Sequence, residues 1–215
     1  ASFAAHVSNR NMKDEIGAQL LKSRVDVLLG GGRRHFPRPT GWRTPATLAD
    51  LGLLSQGRAL GFFERPEVGS PTAPGAWPTL AELTQAALSF LAPARQGFVL
   101  VVEQDHIDHA GHQQAGDLAI EQVWDLDAAV GVSRRFSDQN GDTLVVVTAD
   151  HDTGNLTLLK GNPSQRQVEV SFPVGHHTGN PVPVYAQGPR ASDFTGSYPQ
   201  TRVPERIAGA AGLEW

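Results

Sequence analysis

The sequence predicts an α/β fold in which a mostly parallel sheet is flanked by helices. Buried strands are predicted at 25–29 (VDVLL), 98–102 (FVLVV) and 143–148 (TLVVVT). The continuous apolar run at 98–102 is typical of a strand that is covered on both faces. Between these segments, apolar residues recur every three or four positions, which is the period of an amphipathic helix. Strands that alternate with helices along a chain indicate parallel strands joined by helical crossovers.

The helices are predicted from this periodicity and from signals at their ends. Thr79 and Glu82 match the capping-box pattern that opens a helix. The Asn-Gly-Asp sequence at 140–142 is expected to end the longest helix. Two shorter strands are expected at 167–172 and 182–186. The predicted helices cover residues 11–24, 79–92, 116–137 and 204–213.

Residues 33–78 are rich in proline, glycine and arginine and show little periodicity beyond a short helical segment near 46–54. We expect this stretch to be a surface excursion and not a separate domain. A chain of 215 residues has room for one sizeable core or at most two small domains.

The composition excludes several classes of protein. With 40% apolar and 19% charged residues, the chain is an ordinary globular sequence. A formal net charge of -4 offers no basic surface for nucleic acid, and no apolar run approaches the roughly 18 residues that a membrane span needs. No signal peptide is recognisable at Ala1. Cysteine is absent, so disulfides and thiolate zinc sites are excluded, and any metal must be held by His, Asp or Glu.

The segment 101–112 (VVEQDHIDHAGH) combines three acidic residues with three histidines directly after an apolar run. Asp108 and His112 are four residues apart, so a single helical turn would place both on one face. Zinc accepts carboxylate oxygen and imidazole nitrogen in tetrahedral sites. Two later segments, 148–155 (TADHDTGN) and 175–181 (GHHTGNP), carry the same residue types.

These polar segments stand at the ends of predicted strands. Glu103 follows the run 98–102, and Asp150 and His151 follow the run 143–148. In open α/β sheets, ligands bind outside the carboxyl ends of the strands. We therefore expect two strands to deliver acidic and histidine side chains to the same edge of the sheet.

Five side chains are natural ligands for divalent metal ions: Asp108, His112, Asp150, His151 and His177. Taken singly, each is better explained as a capped turn or a hydrogen-bonded core histidine, but together they indicate a metal site. Five ligands exceed what one catalytic zinc takes from protein, because such a site keeps a position open. Two metal ions are therefore expected, an arrangement that clamps the attacking and leaving oxygens during displacement at a phosphate ester.

Two further side chains have two interpretations each. Glu103 offers only oxygen and would suit magnesium, although a strand-end carboxylate in water fits its position equally well. Arg10 has the planar fork that binds phosphate through two hydrogen bonds, although a lone arginine is usually a surface charge. His6, His35 and His106 are interpreted as structural or exposed.

Several segments also carry a specific similarity to a known family. With TADH, HTG and the IDxxxH spacing in one order, the chain resembles the alkaline phosphatase family over nearly its whole length. The matching segments are LLGGGRRHF at 28–36, VVEQDHIDHAGH at 101–112, TLVVVTADHDTGN at 143–155, HHTGNPVPVYAQGP at 176–189 and, more weakly, AAHVSNRN at 4–11.

The resemblance implies two Zn²⁺ ions and one Mg²⁺ ion as cofactors. Asp108, His112 and His177 match the ligands of one zinc. Asp150 and His151 match ligands of the second zinc, which in this family also contacts the serine nucleophile.

The same resemblance implies roles for three other residues. Glu103 matches a magnesium ligand, and Arg10 matches the arginine that grips two phosphate oxygens. His109 falls at a position where family members differ and which tunes the surroundings of the magnesium ion and the phosphate.

The resemblance also implies that part of the enzyme lies outside this chain. The family's nucleophile is a serine in an Asp-Ser-Ala context upstream of every matching segment, and this chain contains no Asp-Ser dipeptide. The family's aspartate that bridges zinc and magnesium, and its threonine at the magnesium site, have no match either. We therefore expect residues 1–215 to be the C-terminal portion of a single alkaline-phosphatase-like domain. The family further implies a homodimer and a periplasmic or extracellular location.

The implied function is metal-dependent hydrolysis of small-molecule phosphate monoesters, with release of inorganic phosphate, through a phosphoserine intermediate. This chain alone is expected to be inactive, because the nucleophile lies elsewhere. Two alternatives stay open. One is a phosphodiesterase, sulfatase or phosphomutase of the same superfamily, and the other is a non-catalytic metal-binding module.

Overall fold

The computed structural model describes residues 4–36, 39–45, 47–52, 57–62, 78–165 and 167–214. The chain forms two compact units, Ala1–Val102 and Glu103–Trp215. Each unit contains both helices and strands, in agreement with the predicted α/β class. Among the described residues, no helix is long and apolar enough to cross a membrane.

The first unit is built on a three-stranded parallel sheet. Its strands are β1 (Val27–Gly30), β2 (Trp42–Arg43) and β3 (Arg58–Phe62), in the order β1-β3-β2. Its helices are α1 (Lys13–Lys22), α2 (Leu48–Gly52) and α3 (Leu80–Leu91). The predicted capping box opens α3, since the backbone N–H of Glu82 donates to the Thr79 hydroxyl and the backbone N–H of Thr79 donates to the Glu82 carboxylate.

The prediction of a surface excursion over 33–78 is wrong for much of the described part of that segment. Strand β3 lies at the centre of the sheet, and Leu51 and Ala59 are fully buried. The core cluster of this unit consists of Leu51, Ala59, Ala86, Phe90 and Leu91. Strands β2 and β3 could not be recognised in the sequence, because neither forms an apolar run. Strand β2 has only two residues, and β3 contains arginine and glycine. Residues 63–77 lie outside the described part.

The apolar run 98–102 also differs from the prediction of a strand covered on both faces. Phe98 and Leu100 pack against the core cluster, whereas Val99 is 67% exposed and Val101 is 55% exposed. Within the described residues, no strand pairs with this run. Because no described strand covers the second side of this run, only alternate residues are partly buried.

In the described part of the second unit, the strands form three antiparallel pairs. Strand β4 (Val145–Thr148) pairs with β9 (Val184–Gln187), β5 (Asp152–Thr153) with β8 (His177–Thr178), and β6 (Thr157–Asn162) with β7 (Gln167–Ser171). Parallel pairing in the described part is therefore confined to the first unit, and the predicted mostly parallel sheet holds only there. The short turn between β6 and β7 permits only antiparallel pairing, because parallel strands need a long crossover.

The helices of the second unit are α4 (His106–His112), α5 (Gly116–Asn140) and α6 (Arg202–Ala210). Gly141 ends α5 in the left-handed conformation with φ 74, which glycine adopts at little cost, as the Asn-Gly-Asp signal predicted. Buried Ala110, Ala119 and Phe172 form one cluster, so α4 and α5 pack on the chain just after β7. This packing fixes the helix that carries two of the predicted metal ligands, Asp108 and His112.

Candidate metal centre

Three separate pieces of the second unit carry side chains to one cluster. Asp108 and His112 lie on α4, His151 precedes β5, and His177 begins β8. Strands β5 and β8 pair so that Thr153 lies opposite His177, which brings the last two segments together. Asp108, His151 and His177 each offer one ligand atom, and these atoms lie within 4.8 Å of one another.

The distances within this cluster are those of direct contact. The Asp108 Oδ1 atom lies 3.4 Å from Nε2 of His112 and 3.2 Å from Nε2 of His177. The two Nε2 atoms are 3.1 Å apart. The rings of His151 and His177 stack with centroids 3.6 Å apart. Two imidazole nitrogens this close need a shared proton or a cation between them, because their lone pairs would otherwise repel.

A backbone carbonyl orients the ring of His112. Its Nδ1 atom lies 2.9 Å from the carbonyl oxygen of Gly175. A carbonyl oxygen can only accept, so Nδ1 carries the proton in this hydrogen bond and donates it. The Nε2 atom of a neutral His112 is then left with its lone pair facing the cluster, which is the tautomer that binds a metal ion.

Thr153 contacts two of the predicted ligands, although no role was predicted for it from the sequence. Its hydroxyl donates to Oδ1 of Asp108 at 2.5 Å and lies 3.2 Å from Nδ1 of His151. Because the one hydroxyl proton goes to the carboxylate, the hydroxyl accepts from Nδ1 of His151, and Nε2 of that ring becomes the free ligand atom. The only indication in the sequence was that Thr153 stands two residues after His151. Alternate residues of an extended chain point to the same side, so the two side chains can reach the same site.

Helix α4 approaches β5 closely enough for this hydrogen bond because Gly111 has no side chain. A Cβ atom at Gly111 would lie 2.9 Å from both the Cγ2 atom and the carbonyl oxygen of Thr153. Gly111 is buried. The glycine of the AGH sequence thus sets the distance between the helix that carries Asp108 and the strand that carries Thr153.

The pKa of Asp108 is lowered from its ordinary value of 3.8. Partial burial acts first and raises the pKa, because it disfavours the charged form. The hydrogen bond from Thr153 and the charges of His112, His177 and His151 act in the opposite direction and prevail. Asp108 is therefore an ionised carboxylate at neutral pH, as a metal ligand must be.

Four of the residues predicted for the site are not part of the contact cluster formed by Asp108, His112, His151 and His177, namely Asp150, Glu103, Arg10 and His109. The carboxylate of Asp150 is 82% exposed and lies 3.3 Å from Nε2 of His151, at the edge of the cluster. Glu103 is exposed and belongs to neither of the two groups of potential ligands found among the described residues. Arg10 is an exposed residue of the first unit.

His109 belongs to a second group, together with Asp105 and His106. The rings of His106 and His109 are 5.3 Å apart. From the sequence, His106 was expected to be structural or exposed. In the structure it is half-buried and turns its ring towards another potential ligand.

The residues of the contact cluster fit a divalent metal ion. Three imidazoles and a carboxylate make up a donor set of nitrogen and oxygen, which zinc favours. Two of the rings are held by hydrogen bonds at the nitrogen that faces away, as the rings of metal-bound histidines are. The arrangement can hold a cation and, through it, an anionic ligand.

The alkaline phosphatase family matches residues 51–164, which is more than half of the chain. The chain belongs to the alkaline phosphatase family. It is 28% identical to a streptomycin-6-phosphate phosphatase of Streptomyces griseus, over 99% of this chain and 66% of that protein. The chain spans between 38% and 66% of the length of the first three curated relatives that it matches.

Solved structures of alkaline phosphatases share this fold. The enzyme of the Antarctic bacterium TAB5 covers 100% of this chain with a TM-score of 0.83 and 27% identity, and this chain covers 68% of it. A mutant of that enzyme with Mg bound matches with a TM-score of 0.82 and 26% identity, over 100% of this chain and 68% of that chain. The fold is therefore the α/β fold of alkaline phosphatases, as the family's motifs implied.

Proposed function

We propose that the protein hydrolyses phosphate monoesters with the help of zinc and magnesium ions. The observation that carries this proposal is the convergence of Asp108, His112, His151 and His177 on one point. Membership of the alkaline phosphatase family supports phosphate esters as substrates. The similarity to a streptomycin-6-phosphate phosphatase adds phosphorylated aminoglycosides to the substrates worth testing.

The proposed zinc ligands are the five that the sequence indicated. Asp108, His112 and His177 are assigned to one zinc, and their contacts at 3.1 to 3.4 Å support this set. Asp150 and His151 are assigned to the second zinc. The hydroxyl of Thr153 joins the two sets, because it contacts Asp108 of the first and His151 of the second.

The other assignments depend on position in the family's motifs. Glu103 is proposed as a magnesium ligand, with His109 as a residue that shapes the surroundings of that ion. Arg10 is proposed to hold two oxygens of the phosphoryl group and to offset their charge.

When bound, such ions polarise phosphoryl oxygens and lower the pKa of bound water. The chain itself contributes by orienting the ligand side chains before a metal ion or a substrate binds. Thr153 fixes the position of the Asp108 carboxylate, and the carbonyl of Gly175 fixes the ring of His112. Ligands that are oriented in advance do not have to be reorganised when a substrate arrives.

The nucleophile is proposed to be a serine on a segment outside this chain. The seryl oxygen attacks phosphorus and displaces the alcohol, which gives a phosphoserine, and water then releases inorganic phosphate. The sequence of 215 residues has no Asp-Ser dipeptide of the kind that marks the family's nucleophile. A homodimer and a periplasmic or extracellular location are further parts of this proposal, supported by family membership alone.

The test uses the protein with its upstream segment and, in parallel, the 215-residue chain. Zinc and magnesium are measured by elemental analysis, and turnover is compared on p-nitrophenyl phosphate, bis-p-nitrophenyl phosphate and p-nitrophenyl sulfate. We expect bound zinc, preference for the monoester, and no turnover by the chain alone. Mass spectrometry of the acid-quenched enzyme should show one phosphorylated serine upstream of Ala1.

Each alternative predicts a different result. Preference for the diester or the sulfate would indicate another member of the superfamily. Zinc binding without turnover of any of the three esters would indicate a non-catalytic metal-binding module. Absence of bound zinc after incubation with the ion would contradict the metal centre itself.

A further inference from the structure

We propose that Asp105, His106 and His109 form an accessory binding site for one divalent transition-metal ion. Each of the three offers one ligand atom, and these atoms lie within 4.8 Å of one another. The site goes beyond the proposed phosphatase chemistry, because that chemistry uses neither Asp105 nor His106 and shares only His109 with the accessory site.

The geometry of α4 separates this group from the contact cluster. At 3.6 residues per turn, His106 and His109 fall on one face of the helix, and Asp108 and His112 fall on a face about 110° away. The rings of His106 and His109 have their centroids 5.3 Å apart and are tilted by 44°. One short helix therefore presents two pairs of ligands in two directions.

The three side chains are available for a ligand. Among the described residues, no side-chain hydrogen bond or ion pair engages Asp105, His106 or His109. Asp105 stands at the N-cap of α4, where an aspartate usually accepts from the backbone N–H groups of the first turn. Its carboxylate makes no such hydrogen bond, and it lies near the two imidazoles instead.

The backbone that carries this group is anchored from the other side. The side chain of Gln104 donates to the Asp125 carboxylate at 2.6 Å, and Asp125 on α5 is only 1% exposed. The backbone N–H of His106 contacts the Gln104 side-chain oxygen at 3.4 Å. The start of α4 is thus tied to the interior, while Asp105 and His109 are exposed and His106 is half-buried.

The donor set decides which ions fit. Two imidazole nitrogens and one carboxylate oxygen suit zinc, cobalt or nickel, whereas magnesium and calcium prefer oxygen ligands alone. Three protein ligands leave the remaining positions to water. The expected site is therefore exchangeable and weaker than the contact cluster.

Cobalt(II) is the probe, because it binds such ligands and broadens nearby NMR signals. The purified protein is first saturated with zinc at its tight sites and then titrated with Co²⁺, while ¹⁵N-labelled imidazoles are monitored. We expect one further equivalent of Co²⁺ to bind and to broaden the signals of His106 and His109 before those of other histidines.

The variants are Asp105→Asn and His106→Gln, with His6→Gln as the matched control, since His6 is an exposed histidine of the other unit. Each of the first two should weaken Co²⁺ binding at least about tenfold, and the control should leave it unchanged. Asp105 is exposed, so its variant reports on binding even where His106→Gln alters the circular dichroism spectrum. Unchanged Co²⁺ affinity in Asp105→Asn, or an equal loss in His6→Gln, would overturn the proposal.

Discussion

Two groups of potential metal ligands share helix α4, and they differ in how their side chains are held. Around Asp108, ligand atoms lie 3.1 to 3.4 Å apart, and Thr153 and Gly175 hold the groups that face the centre. Around Asp105, the described residues supply no hydrogen bond to any of the three side chains. The two groups contain the same chemical types, so their ligands alone do not distinguish them.

The difference lies in what surrounds the ligands. Supporting hydrogen bonds fix the tautomer and orientation of metal-binding histidines, and their loss typically lowers metal affinity by about 10–100-fold. The contact cluster has such support from two other segments of chain, whereas the Asp105 group has only its anchored backbone. We therefore expect a tight site at Asp108 and a weak one at Asp105, and four experiments probe that contrast.

The largest effect is expected from removing one charged ligand in each group. Asp108→Asn keeps the shape of the side chain and removes its charge, so zinc affinity at the contact cluster should fall by more than about 100-fold, beyond the loss of a supporting partner. Asp105→Asn should leave the tightly bound zinc in place. Competition with a chromophoric chelator measures the zinc affinity of each variant. Equal losses of zinc affinity in the two variants would contradict the expected difference between the two groups of ligands.

Thr153→Val should produce the next largest effect. Valine keeps the branched shape but removes the hydroxyl that holds Asp108 and His151, so tight zinc binding should weaken by about 10–100-fold. Thr153→Ser retains the hydroxyl and should restore most of the affinity. Failure of serine to restore it would show that Thr153 acts through packing and not through its hydrogen bonds.

The sequence indicated the side chains that meet in the contact cluster, but not the groups that hold those side chains in place. Asp108, His112, His151 and His177 were identified because acidic and histidine residues clustered at strand ends. The groups that hold these side chains are a threonine hydroxyl and a glycine carbonyl, which are too common in proteins to be recognised from the sequence. They become visible only when the pairing of β5 with β8 fixes which segments are neighbours.

The fold shows the same limit. Helices α1, α3, α5 and α6 lie close to their predicted positions, because helical periodicity and caps are local properties of the sequence. The pairing of strands is not local, so the antiparallel pairs of the second unit and the central position of β3 could not be predicted from apolar runs.

Gly111→Ala tests whether the close approach of α4 to β5 is required. The added methyl group would meet Thr153 at 2.9 Å, so the free energy of unfolding should fall by about 1–3 kcal/mol, the usual cost of overpacking. Gly209→Ala in α6 is the matched control, because a Cβ there meets nothing within 4 Å, and alanine should stabilise the helix by up to about 1 kcal/mol. Chemical denaturation of the metal-free proteins measures the free energy of unfolding of each variant. Equal changes in the two variants would show that α4 and β5 are not tightly packed at Gly111.

The smallest effect concerns pH. The pKa of Asp108 is lowered in the folded protein, so below its ordinary value of 3.8 the unfolded state binds this proton first. The stabilisation from the ionised carboxylate is therefore complete above pH 3.8 and is lost as the pH falls through the folded pKa. Since the side chain is 33% exposed, solvent screens its charge and the contribution to stability is modest.

In acid titrations of metal-free protein, the wild type should lose stability more steeply below pH 3.8 than Asp108→Asn. Parallel curves for the two proteins would show that the surroundings of Asp108 do not lower its pKa in the folded state.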